Sequence, residues 1–153
     1  MQARLKNPAM LIPDALKVFQ SLAALTQNSG LPERTLGLMH LRASQINGCA
    51  VCLDLHRRHQ KGDETEERLF TIAAWRDSPF FTDAERAALA LTESITRLSD
   101  REDPVPDAVW NEAARHYDER QLASIVLAIA TTNVFNRLNV ATRQVAGPQK
   151  WEK

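Results

Sequence analysis

The residues of this chain best placed to do chemistry are Cys49, Cys52 and His56, separated by three and then four positions. On a helix that spacing sets all three side chains along one face, with the imidazole within a turn of the Cys52 sulfur, as a base or as an imidazolium partner. Asn47-Gly48, immediately before, suits a turn, which places both cysteines just beyond a helix start. Unpaired N–H groups and the positive end of the helix dipole favour a thiolate there. An ordinary thiol, with pKa ~8.5, is only a few per cent ionised at neutral pH, whereas helix starts and C-x-x-C settings bring it to ~3.5–7.5. Such a thiolate can attack a peroxide oxygen and become a sulfenic acid, which a second thiol converts to a disulfide. Two sulfurs three residues apart at a helix start can meet the close geometry of that bond.

Three other uses of the same residues compete with this one. Two buried cysteines can simply pack as small hydrophobes. A zinc site would have to use Cys49, Cys52, His56 and His59, but on one helix the outer two lie about 15 Å apart. One ion with bonds of ~2.0–2.3 Å cannot take all four, and the chain has no second cysteine pair. Covalent haem attachment needs a histidine directly after the second cysteine, where this chain has Leu53. No metal and no organic cofactor are expected.

Composition bounds the rest. The 153 residues suffice for one domain with one proper core. Nineteen basic residues balance nineteen acidic ones, so the basic excess of a nucleic-acid binder is missing. The densest basic cluster, Arg57, Arg58, His59 and Lys61, runs at once into Asp63, Glu64, Glu66 and Glu67, as a solvated helix surface would. No apolar run approaches the ~18 residues of a membrane span, and residues 1–13 lack the features of a secretory leader. The expectation is a cytoplasmic protein, and in that reducing compartment a close cysteine pair is catalytic or metal-binding more often than structural.

The elements that must position the pair read as helical throughout, which predicts an all-α fold of six or seven helices in a single domain. Pro13 and Asp14 open a segment with Leu16, Val18, Phe19, Leu22, Ala23 and Leu25 at helical spacing, stopping at Asn28-Ser29-Gly30. Pro32 suits the first turn of the next helix, which carries Leu36, Met39, Ala43 and Ile46 to the Asn47-Gly48 break. A third helix spans Cys49 to Gln60. Asp63 with Glu66, Thr82 with Glu85 and Asp118 with Gln121 each have the spacing of a capping box. They would start a helix reaching Trp75, another through Leu98, and a long one from Glu119 to Gln144. Pro106 begins a short helix through Val109, Trp110, Ala113 and Ala114, and Asp100 to Pro106 is too short a connector to separate two cores. The apolar stretch Leu122 to Ala130 marks a core helix or a subunit interface. The tail from Gly147 to Lys153 is expected to be loose, and Trp75, Trp110 and Trp151 to serve packing.

The tract Leu41-Arg42-Ala43-Ser44-Gln45-Ile46-Asn47-Gly48-Cys49, followed by Cys52 and His56, resembles the central signature of AhpD-type alkylhydroperoxidases in the carboxymuconolactone decarboxylase-like family. Similarity extends through Ala74-Trp75-Arg76 and Glu85 to Thr92, covering about residues 30–140. The resemblance implies an AhpD-like helical fold assembling as trimers or hexamers. It also implies reduction of hydrogen peroxide or small organic hydroperoxides, with an external dithiol or protein reductant restoring the thiols. Carried over, Cys52 is the peroxidatic cysteine, Cys49 the resolving one, and His56 part of the proton relay. By position alone a thioredoxin-style reading favours Cys49 as nucleophile, and nearness to His56 favours Cys52.

Two departures stand out. Relatives carry a relay glutamate twelve residues before the first cysteine, where this chain has Gly37, and some place a histidine where it has Val51. His40 is a candidate to replace part of the relay. Glu33, Glu85, Glu93 or a neighbouring subunit are alternative sources of the missing acid, and Glu85 has a separate explanation as a capping residue. The competing functions are a disulfide reductase or redox sensor, a helical oligomer with inert thiols, and a lactone-acid decarboxylase like the family's other branch. That last chemistry does not call for a cysteine pair.

Overall fold

The computed structural model describes residues 1–27, 30–59 and 64–148. Among these, eight α-helices follow one another without a strand: α1 (Pro8–Leu11), α2 (Ala15–Gln27), α3 (Glu33–Ile46), α4 (Ala50–His59), α5 (Glu66–Thr71), α6 (Asp83–Thr96), α7 (Asp107–His116) and α8 (Glu119–Ala141). The all-α reading holds. The eighth helix is the single turn α1, started by Pro8 and capped by the Asn7 side chain, which accepts from the Ala9 N–H. So short a turn leaves no periodicity to find in a sequence.

The helix starts follow local chemistry. Thr82 and Glu85 form a full capping box at α6, and Asp118 and Gln121 another at α8. Pro32 and Pro106 sit one residue before α3 and α7. At α5 Thr65 occupies the N-cap and Glu66 is the first helical residue, and Asp63, expected to form a box with Glu66, lies outside the described residues. Helix α8 stops at Ala141, short of the expected Gln144, and Arg143 beyond it takes a left-handed φ of 53°.

Helix α3 is central, packed against α6, α8 and α4. It separates two apolar clusters. Met39 joins Ala88, Leu91, Tyr117, Leu122, Ile125 and Ile129 on the side of α6, α7 and α8. Leu38 and Leu41 face Ile72, Trp75, Phe81 and Leu89 on the other. A third, small cluster consists of Cys49, Val51 and Cys52, with Leu55 against it.

The long helix α8 changes character along its buried stripe. Leu122, Ile125 and Ile129 fill the first cluster. The same stripe then continues at helical spacing as Asn133, Asn136 and Asn139, all buried. Where the expected loose tail begins, Gly147 is instead held against α4. Its N–H donates to Asp54 Oδ2 at 2.9 Å, and its carbonyl accepts from Arg58 at 3.0 Å. Residues 149–153, with Trp151, lie outside the described residues.

Candidate active site

The junction between α3 and α4 builds the site. Gly48 follows the cap residue Asn47 with φ 65°, a conformation that costs glycine nothing. Its N–H donates to the Gln45 carbonyl at 3.2 Å, and the Cys49 N–H to the Ser44 carbonyl at 3.0 Å, which together close α3 in a Schellman motif. The Cys49 carbonyl then accepts from Leu53 N–H at 3.0 Å, beginning α4. Cys49 is thus the cap between two helices, and its sulfur accepts from the Cys52 N–H at 3.4 Å.

Cys49 and Cys52 are joined in a disulfide, with S–S 2.09 Å and Cα atoms 5.3 Å apart. The two residues are 1% and 3% exposed. Helix α8 supplies the surroundings of Cys52: Asn136 Nδ2 lies 3.1 Å and Asn139 Nδ2 3.3 Å from its sulfur. Asn136 Nδ2 also reaches Ser44 Oγ at 3.1 Å. Beside Cys49 a pocket of about 190 Å³ opens, lined by Gly48, Cys49, Val51, Asn139, Arg143 and Gln144 among others.

His56 lies one turn beyond Cys52, and the structure brings it to His40 of α3, with ring centroids 5.6 Å apart and planes inclined by 31°. Gly37 makes room for this. A Cβ built at position 37 would stand 3.3 Å from His56 Cε1, so the place of the family's relay glutamate is where the imidazole approaches the helix backbone. Burial, then the neighbouring His56, push the pKa of His40 down to about 4. Burial also lowers that of His56, partly offset by the Glu64 carboxylate. Both rings are therefore neutral at neutral pH and able to accept a proton.

The candidate acids of the sequence are committed elsewhere. Glu33 is exposed at the start of α3. Glu85 binds Arg68 at 2.7 Å and accepts the Thr82 N–H at 2.8 Å. Glu93 accepts from Arg42 at 2.7 Å, Arg76 at 2.9 Å and Trp75 Nε1 at 3.1 Å. Burial raises the pKa of Glu93, but these donors outweigh it and hold the carboxyl down to about 2. The acid that bears on His56 is Glu64, itself bound to Arg34 and Arg68, each at 2.7 Å.

Sequence reasoning missed Glu64, Asn136 and Asn139. The asparagines had a signal, since they prolong the apolar stripe of α8 in register. Among the described residues, no three His, Cys, Asp or Glu side chains converge as a metal site would require, and no helix is long and apolar enough to cross a membrane.

An all-helical fold with a C-x-x-C disulfide capping an internal helix and a histidine one turn on defines an AhpD-like protein. The chain belongs to the carboxymuconolactone decarboxylase family, whose model matches residues 13–94. It is 36% identical over 132 residues to the uncharacterized protein YdfG of Bacillus subtilis (strain 168), covering 86% of this chain and 88% of that one. A protein of unknown function from Agrobacterium tumefaciens, whose suggested role is AhpD-type antioxidant defence, is 32% identical. Its structure superposes with a TM-score of 0.87 over 97% of this chain and all of its own. The debrominase Bmp8 shares the fold at 22% identity, with a TM-score of 0.75 over 88% of this chain and 72% of its own.

Proposed function

We propose that this protein is a thiol-dependent peroxidase that reduces hydrogen peroxide or small organic hydroperoxides through the Cys49–Cys52 pair. The observation that carries this reading is the closed disulfide at the α3–α4 junction, with two amide N–H groups directed at Cys52. In the reduced protein the Cys52 thiolate attacks the terminal peroxide oxygen. The O–O bond breaks, and its electron pair leaves with the alkoxide, which takes a proton. Cys49 then attacks the Cys52 sulfenic sulfur, releasing water and closing the disulfide. In this reading His56 and His40, both neutral, pass the protons, with Glu64 as the acid whose charge acts on His56. An external dithiol or protein reductant returns the disulfide to thiols, as the cytoplasm would supply. The exposed apolar side chains of α1 and α2, Met10, Leu11, Val18 and Leu25, support assembly as a homo-trimer or hexamer.

Peroxide consumption in the presence of a dithiol tests the reading. Wild type should turn over, and Cys52→Ser should lose at least ~100-fold, the scale expected when a catalytic nucleophile is removed. Full activity in Cys52→Ser would end the proposal. The pocket lined by Cys49 favours a second reading, a disulfide reductase, because it brings space for an outside thiol beside one member of the pair. Rapid exchange with protein disulfides together with slow peroxide reaction would select it.

A further inference from the structure

The two sulfurs are not equivalent, and the side-chain amides around them say which one holds charge. An amide can point either end at a neighbour, so its orientation follows from partners able to act in only one sense. Asn133 has two: Arg137 can only donate, to Oδ1 at 2.7 Å, and the Ile129 carbonyl can only accept, from Nδ2 at 2.9 Å. Asn47 must therefore donate to Asn133 Oδ1, at 3.0 Å, and the same nitrogen donates to Asn136 Oδ1 at 2.9 Å. That leaves Asn136 Nδ2 facing Cys52 Sγ. A second chain starts at the Ala9 N–H, which fixes Asn7 Oδ1 as its acceptor at 2.9 Å. Asn7 Nδ2 then donates to Asn139 Oδ1 at 2.7 Å, and Asn139 Nδ2 faces the same sulfur.

Two independent relays thus end as N–H donors on one buried atom. Disulfide or thiol sulfur is a weak acceptor, whereas a thiolate is a strong one, so the arrangement favours charge at Cys52. Cys49 receives one backbone N–H, at 3.4 Å, and lines the pocket that Cys52 does not reach. We propose that Asn136 and Asn139 are positioning residues that hold Cys52 as the thiolate, so that an outside thiol opens the disulfide at Cys49. The donor's thiolate bonds to Cys49 Sγ, the Cys49–Cys52 bond breaks, and its electron pair stays on Cys52. The donor's second thiolate then displaces Cys49 from the mixed disulfide, leaving an oxidised donor and a reduced pair. The inference rests on the dithiol/disulfide cycle proposed above for its place in turnover, but its test requires no peroxide.

The test is titration of the reduced Cys49→Ser protein, following thiolate absorbance near 240 nm, with Asn136→Leu, Asn139→Leu or Asn7→Ala added. Cys52 should titrate well below ~8.5. Each leucine should raise that value by roughly one unit or more, and Asn7→Ala by less, because it only frees the Asn139 amide to turn. Asn136 is fully buried, so if its variant does not fold, Asn139→Leu and Asn7→Ala carry the test. A Cys52 titrating near ~8.5, or one unmoved by these changes, overturns the proposal. A second readout uses the oxidised wild type, mixed with glutathione, acid-quenched and alkylated. Peptide mapping should find glutathione on Cys49 and the alkyl group on Cys52, and the reverse would also overturn it. A protein that meets both expectations yet leaves peroxide intact keeps this inference and loses the peroxidase reading. One that consumes peroxide with an ordinary Cys52 thiol does the opposite.

Discussion

The two ends of α3 are fixed by polar groups of opposite kinds. Near its start, Arg34 and the 5%-exposed Arg68 bind Glu64 and Glu85, tying α3, α5 and α6 together through full charges. At its end, Ser44 and Asn47 meet Asn133 and Asn136 of α8 through neutral amides and a hydroxyl. A charged cluster near the sulfurs would fix their protonation by its own field. Beyond the exposed Arg137, which donates to Asn133 at the far side of the seam, the amides carry no charge of their own, which leaves Cys52 as the group there that can gain or lose a proton. Buried charge in this protein ties helices together, and buried neutral amides surround the Cys52 sulfur.

The largest effect expected from breaking that contrast is at Arg68. Arg68→Ala leaves Glu64 and Glu85 without their shared buried guanidinium, a change that costs about 3–5 kcal/mol. Denaturant unfolding should show that loss, while the Cys52 titration of the folded protein stays where it was. A large shift in the thiol would mean that the two ends are not independent.

A smaller effect concerns pH. The folded pKa of His40, about 4, lies below its unfolded value of 6.5, so the unfolded chain binds the proton first. This group's contribution to stability is complete above pH 6.5 and falls as pH drops toward about 4, by about 3 kcal/mol. Glu93, lowered from 4.5 to about 2, adds a separate loss beginning below pH 4.5. His40→Gln should lessen the fall in melting temperature between pH 6.5 and 4.5, leaving the part owed to His56, which burial also holds down, and the acid limb intact. An unchanged profile would show that the ring is not held neutral. The smallest expected change is Thr82→Ala, which removes the cap hydroxyl from α6 but keeps the Arg68–Glu85 pair, for about 1 kcal/mol. A much larger loss in melting experiments would mean that Thr82 also orders the charged cluster.

What the sequence determined by itself was local. The Asn47-Gly48 break, two of the three expected capping boxes and the C-x-x-C spacing depend on residues within a few positions of one another, and the structure shows each of them. Side-chain partners distant along the chain were decided only by tertiary structure. Glu85 and Glu93 looked available as acids until folding delivered arginines from three other segments to them. Gly37 read as a missing relay residue, and folding turned it into the space that admits His56. Asn136 and Asn139 stand more than eighty residues from Cys52, and an asparagine has the same helical propensity whether it faces water or a sulfur. Periodicity reports which face of a helix is buried, but the polarity required of a buried side chain is set by the atom it meets, and that atom is chosen when the helices pack.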